Sequence, residues 1–356
     1  MPAAVFNQPL VPIFDVIIDG SPLKATELVY VTTVTVDDAV DLPGMLVIEL
    51  SGSDTMGKPL PWVDDARFDI GHAVEIKFGY GGKMEKLFAG EITGLEPEYA
   101  FDRLPSLTVR GFDRLHRLLR GRKSRTFVKQ KDSDIASKIA QDAGLTAEVT
   151  DSRVTHEHVY QHNQTDWEFL LLRARRIGYE ILADDKKLLF RPVANDGSEA
   201  LTLTFENDLL EFYPRLTTSG QVDEVSALGW SVKDKKEIVG KAKTGDEVSK
   251  MGGQRSGGAI ANKAFGAAPE KIESSPLTTQ AEADQVARAR LNDAALGLVV
   301  GEGVCYGRTD LRAGKVIKVD GIGKRFGGLY YVTAAVHSYT LRNGYQTRFK
   351  VRRNAS

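Results

Sequence analysis

The chain has one cysteine, Cys305, in 356 residues. No internal disulfide and no cysteine metal cluster can form from it. There is no charge excess: 47 Lys and Arg face 48 Asp and Glu, a formal net charge of -1. A dedicated nucleic-acid binder carries a basic excess, so that class is disfavoured. No apolar run approaches the ~18 residues of a membrane span, so membrane insertion by this chain is not expected. The opening, MPAAVFNQPLVPIFDV, lacks a basic segment followed by an apolar stretch, and no secretory signal is legible. Chemical motifs are scarce as well. "GYGGK" lacks the spacing of a phosphate loop, and "GIGKRFGG" misses the dinucleotide pattern. No G-x-S-x-G turn is present. No cofactor is expected.

Alternating apolar residues are what the chain has in quantity. From Phe14 to about Arg114 the pattern is β, with about six strands punctuated by turn residues, which suggests a barrel or sandwich. The period then changes. "DRLHRLLRGR" reads as a short helix and "KDSDIASKIAQDAG" as a longer one, with Asp132 or Ser133 as cap. "TDWEFLLLRARRIG" carries a capping box, Thr165 with Glu168, and apolar residues at helical spacing. "YEILADDKKLLFRPV" reads as a hairpin. β pattern returns at "LTLTFEN" and "QVDEVSALGWSV". The stretch from Gly240 to about Pro276 is rich in Gly, Lys, Ser and Ala without periodicity, so a mobile linker is expected there. A helix from Thr279 to Gly297 and a final β stretch follow.

The fold class expected is mainly β with an α+β insert. Residues 1–115 would form a first β-barrel and 116–200 the insert. Residues 201–240 would begin a second barrel, 241–297 would be flexible linker plus helix, and 298–356 would complete that barrel.

A repeat supports two similar barrels. "GHAVEIKFGYGGKMEKLFAGEITGLEPEY" and "GKVIKVDGIGKRFGGLYYVTAAVHSY" share a Gly, an alternating strand, a Gly-rich turn and an aromatic-led strand. Setting Leu87 against Leu329 places Phe88 on Tyr330, Val109 on Val351 and Arg110 on Arg352, and one gap matches Gly71 with Gly314. Three chains with two such units each give six similar units around a three-fold axis.

"LFAGEITGLEPEY", "LTVRGFDRLHRLLRGRKSRTF", "KDSDIASKIAQDAGL", "HVYQHNQTDWEFLLLRARRIGYEI" and "LRAGKVIKVDGIGKRFGGLYYV" resemble the phage late control D family. That family includes baseplate hubs of contractile tails and the hub region of VgrG-like spike proteins. The resemblance spans Phe14 to about Arg353. It implies a homotrimer forming a pseudo-hexameric ring, with a hexameric inner tube protein, a trimeric spike and other baseplate proteins as partners. It also implies synthesis in the bacterial cytoplasm and incorporation into a phage tail or injection particle. The chain stops after "RFKVRRNAS" with no OB-like or β-helical segment, which points to a separate spike chain or to a sequence cut at a domain boundary. The resemblance makes Asn163, Gln164, Thr165, Asp166, Trp167 and Glu168 a structural strand-to-helix turn.

Two clusters invite chemistry. His156, His158 and His162 fall close together, and imidazoles are good zinc ligands. This supports an alternative, a metal-dependent or cell-wall hydrolase. "HEHVYQH" lacks the HExxH spacing, however, and solvated histidines on a strand edge are the commoner case. Arg114, Arg117, Arg120, Arg122, Lys123 and Arg125 form a basic run that could meet an acidic protein partner. No aromatic residues interleave it for base stacking. A third class, a monomeric carbohydrate-binding β protein, would ignore tube and spike chains.

Overall fold

A computed structural model describes residues 11–52, 62–102, 104–232, 234–273 and 277–356. The first 112 residues supply β1 (Pro12–Ile18), β2 (Ser21–Pro22), the one-turn helix α1 (Ala25–Leu28), β3 (Val31–Ala39), β4 (Met45–Ser51), β5 (Ala73–Tyr80), β6 (Lys83–Glu98) and β7 (Ser106–Phe112). Alternation decides which face is buried. Leu46, Ile48 and Leu50 of β4 point inward with Val74, Ile76 and Phe78 of β5, and together with Val34 and Val109 they fill one core.

A central module follows. It contains a 3-10 turn (Arg114–Leu119), β8 (Lys123–Lys131), α2 (Asp132–Asp142), β9 (Thr146–Val149), β10 (Thr155–Gln164), α3 (Asp166–Arg176), β11 (Tyr179–Asp184) and β12 (Lys187–Pro192). The segment read as a helix at "DRLHRLLRGR" is thus a tighter turn, capped by Asp113. Ile135, Ile139, Trp167, Leu170 and Phe190 form the module's own core.

The remainder comprises β13 (Glu199–Thr204), β14 (Leu209–Leu216), β15 (Glu224–Ser231), β16 (Lys236–Lys243), α4 (Gly257–Phe265), β17 (Pro269–Ile272), α5 (Gln280–Leu296), β18 (Val299–Tyr306), β19 (Val316–Asp320), β20 (Gly328–Thr340) and β21 (Gly344–Arg353). Here the sequence expectation needs correction. The stretch from Gly240 to Pro276 is not an aperiodic linker among its described residues. It holds the end of β16, then α4 and β17. Nor do β15 and β16 belong to the second β half. They join β17 in a separate three-stranded sheet, ordered β16-β15-β17, which packs on α5. The core of that unit uses small residues, Ala227, Ala242, Ala283 and Ala287 beside Val225, Ile238 and Leu291. A pattern search keyed to large apolar side chains passes over such a core.

The strands expected in two barrels form one thirteen-stranded sheet. Its main path is β14-β18-β21-β20-β3-β4-β7-β6-β5-β1-β2, with β19 on β20 and β13 on β19. Each half keeps its own core, and the halves join where β20 pairs with β3. Among the described residues no ladder links the outermost strands of the first half, and in the second half a single bridge, Phe205 with Leu209, links the end of β13 to the start of β14.

The two halves share a strand order. The run β3-β4-β7-β6-β5 corresponds to β14-β18-β21-β20-β19, antiparallel throughout. Bulges fix the residue match. Gly71 (φ 94°) donates to Ile92 O at 2.8 Å, and Gly314 (φ 75°) donates to Val332 O at 2.9 Å. A left-handed φ at this entry to the strand favours glycine. Each of those carbonyls precedes a bulged threonine. Thr93 Oγ1 donates to Arg110 O at 3.4 Å, and Thr333 Oγ1 donates to Lys350 O at 3.2 Å. The Gly71–Gly314 match therefore holds. Arg110 corresponds to Lys350 rather than Arg352, and Val109 to Phe349 rather than Val351. A slip by an even number of residues keeps every side chain on its own face, so alternation cannot detect it.

Candidate functional site

The basic run is where sequence reasoning placed a partner surface, and the fold uses most of it internally. Asp113 caps the 3-10 turn by accepting from Leu115 N at 2.8 Å, which aims Arg114 and Arg117 at the sheet. Arg114 and Arg117 both pair with Glu91 of β6, and His116 Nε2 lies 3.0 Å from the same carboxylate. Burial opposes the charge on Glu91, but Arg117 and His116 hold its pKa below the usual carboxylate range. Arg114 also meets Asp185, which bonds Lys86 of β6 at 3.1 Å. These contacts join the first half of the sheet to the hairpin of β11 and β12.

The rest of the run serves the strand-to-helix turn. Arg122 donates to Asn163 O at 2.7 Å and to Glu168 at 2.9 Å. Lys123 and Arg125 converge on Asp166, at 2.6 and 2.7 Å, and Gln161 Nε2 adds a third bond at 3.0 Å. Asp166 is buried at the first position of α3, where the helix dipole also favours its charge. The capping box forms as read: Thr165 Oγ1 accepts from Glu168 N at 3.1 Å, and Glu168 Oε2 accepts from Thr165 N at 3.0 Å. Trp167 is buried behind it, and Asn163 takes a left-handed φ of 45° to turn the chain before Gln164. Of the basic run, only Arg120 is exposed without a side-chain partner among the described residues.

The three histidines do not converge. His156 is buried, whereas His158 and His162 are exposed, because the strand loses its alternation between His156 and Val159. Among the described residues no group of three His, Cys, Asp or Glu side chains could hold a metal ion. The metal-dependent alternative therefore finds no donor set among the described residues. His156 serves a buried ion network that sequence reading missed. Its Nε2 lies 3.1 Å from Asp132 and its Nδ1 3.6 Å from Glu282. Arg173 binds Asp132 at 2.5 Å, and Arg176 binds Glu282 at 2.8 Å. Burial alone would raise the Asp132 pKa, but His156 and Arg173 outweigh it and keep the group ionised. Glu282 reaches this network from α5, so the network fastens α5, and the three-stranded sheet packed on it, to the central module. The visible signal was Arg173 and Arg176 spaced along one helix; their partners lie far away in sequence.

A shallow cleft between the first half and the module is lined by Asp37, Asp38, Asp113, Asp185, Lys86 and Arg312. Each of several charges there has a structural duty. Arg312 binds Asp38 at 2.6 Å. Asp113 accepts from Gly44 N and Leu115 N, while burial pushes its pKa up to about 7. The single thiol, Cys305, is fully buried, and burial pushes its pKa far up, so it is no nucleophile at neutral pH. No helix among the described residues is long and apolar enough to cross a membrane.

Backbone is also exposed at the sheet edges. The outer side of β14 has no strand partner among the described residues, and neither does the β5-facing side of β6 beyond the Thr93 bulge.

Comparison with solved structures supports a tail-protein fold. The 43 kDa tail protein of prophage MuSo2 from Shewanella oneidensis superposes with a TM-score of 0.69 at 14% identity, covering 96% of this chain and 98% of that one. A tail protein from Neisseria meningitidis MC58 gives 0.68 at 14% identity, with 96% of each chain covered. An Escherichia coli component of the type VI secretion system, described as similar to the T4 tail proteins gp27 and gp5, gives 0.57 at 15% identity, covering 92% of this chain and 74% of that one. The chain thus has the fold found in phage tail proteins and in a type VI secretion component, as its sequence resemblance implied. A comparison with curated protein sequences finds no match. The family model described as the Alg8 N-terminal domain matches residues 9–340, nearly the whole thirteen-stranded sheet with the units built on it, and the chain belongs to that family.

Proposed function

We propose that the chain is a non-enzymatic structural hub of a contractile phage tail or phage-tail-like injection system. Three copies form a ring of six similar sheet units. That ring matches a hexameric inner tube on one side and a three-fold spike, carried by a separate chain, on the other. Its place is within the tail or injection particle, among other baseplate proteins. The observation that carries this reading is the repeated five-strand order with its repeated bulge, since two equivalent units per chain let a trimer present quasi-six-fold symmetry. The fold shared with tail proteins supports it. The use of His156 and most of the basic run in internal ion pairs favours a structural role for those residues.

Light scattering on the purified full chain over a wide concentration range tests the stoichiometry. The expected species has three times the 39.0 kDa of one chain. A monomer at every concentration overturns the trimer.

A further inference from the structure

We infer that the outward face of the sheet β16-β15-β17 is a docking surface for an acidic polypeptide segment that carries an apolar anchor. The inference goes beyond the hub reading and stands whether or not three copies assemble.

Strand alternation gives the two faces of this sheet different duties. Val225, Ala227, Ile238 and Ala242 face α5 and form the core of the unit. Gly229 lies on the same side, where a Cβ would stand 2.5 Å from Leu277 Cβ of that core. Glu270 of β17 also turns that way and binds Arg290 of α5 at 2.7 Å. The residues of opposite parity therefore turn outward. Among them the ladder sets Leu228 beside Val239 and Trp230 beside Glu237. Two residues back along β15, Ser226 stands between Lys241 of β16 and Lys271 of β17. Lys243 follows, opposite Glu224.

The apolar part of this face is left open. Among the described residues, Leu228 and Val239 enter none of the buried apolar clusters. Trp230 is 56% exposed, whereas Trp62 and Trp167 are 6% and 5% exposed. An indole in water beside two aliphatic side chains is the kind of anchor on which protein contacts are centred.

The neighbouring charges select the occupant. Lys243 and Lys271 are exposed and make no side-chain ion pair among the described residues. Lys241 meets Glu224 alone, at 3.7 Å. Three ammonium groups thus border the apolar strip, and they attract carboxylates and repel a basic partner. A nucleic acid fits less well. One indole offers no series of rings for successive bases, and Glu237 beside it opposes a continuous phosphate backbone. From Trp230 to the row of Lys241, Ser226 and Lys271 is a rise of about 13 Å along β15. An extended segment with an apolar residue, and carboxylates about four residues further on, reaches both ends.

The burial of the other two tryptophans makes the test specific. Acrylamide quenching and the emission maximum of the full-length chain report chiefly on Trp230. The probe is the acetylated peptide Phe-Leu-Ser-Gly-Asp-Glu-Asp-Glu, which has no indole. Its binding should shift the emission to the blue and shield the quenchable fraction, and Trp230→Phe should lose both responses. The double variant Lys241→Gln/Lys271→Gln changes only exposed side chains and should weaken binding about tenfold. The same peptide ending in Asn-Gln-Asn-Gln should leave the spectrum unchanged. No response to the acidic peptide at about 1 mM overturns the inference. An equal response to the amide peptide, or an undiminished one from the lysine variant, also overturns it, because the charges would then select nothing. A response to a dT oligonucleotide without one to the peptide overturns it in favour of a nucleic-acid surface. None of these readings depends on the mass of the assembly, so the docking surface and the hub stand or fall separately.

Discussion

His337 lies fully buried where the two halves meet, and its surroundings show how a single side chain carries a pH dependence. Its Nδ1 is 2.9 Å from Tyr345 Oη and 3.1 Å from Thr347 Oγ1, two hydroxyls that can donate to it. Burial above all, with help from the Arg312 guanidinium, pushes its pKa down to about 3, although the Leu311 carbonyl works the other way. An imidazole with a lowered folded-state pKa stabilises the fold above its unfolded value of about 6.5, and that stability is lost as pH falls toward 3. Between about pH 7.5 and about pH 4.5 the native chain should therefore lose about 2 kcal/mol more unfolding free energy than His337→Asn, measured by denaturant titration. Equal losses in the two proteins would show that His337 does not titrate with folding. None of this was legible beforehand, because the histidines that attracted notice were the clustered ones, and His337 stands alone in an apolar strand. Its neutrality follows from the sheet that closes over it.

At the scale of elements, local chemistry and packing divide the work. α3 announced itself through Thr165, Glu168 and the spacing of Trp167, Leu170 and Ala174, and the structure forms that cap and that face. The helix over Gln280–Leu296 was likewise legible from Thr279 and Gly297. The three-stranded sheet that α5 covers was not, because alanine and glycine make its interface. A Cβ on Gly240 of β16 would stand 2.1 Å from the Ala283 carbonyl carbon of α5. The strand and helix backbones approach that closely only without a side chain. Gly240→Ala should force them apart and cost about 2 kcal/mol of stability, seen as a lowered denaturation midpoint. A midpoint unchanged from the native chain would mean that α5 does not rest on β16 in this way.

For the whole molecule, the main revision concerns the region from Gly240 to Pro276. Composition suggested a segment ordered only by a partner, whereas β16, α4 and β17 are built into a unit whose core is shared with α5. The amides of Lys236–Lys243 and of residues 270–272 that bond β15 should accordingly be protected from hydrogen exchange in the isolated chain. Exchange there as fast as in an unfolded peptide would restore the linker. The sequence by itself determined the β and helical periods and the strongest helix caps, because these depend on neighbours a few residues apart, and the presence of a repeat, because like runs of residues can be compared without knowing where they lie in space. Tertiary structure alone decided that the two halves join through β20 and β3 in one sheet, that the repeat slips by an even step, and that scattered charges such as Asp132, Arg173 and Glu282 meet. The reason is physical: strand partners and ion pairs are set by which surfaces close together in space, and side-chain alternation reads the same for every even shift along a strand.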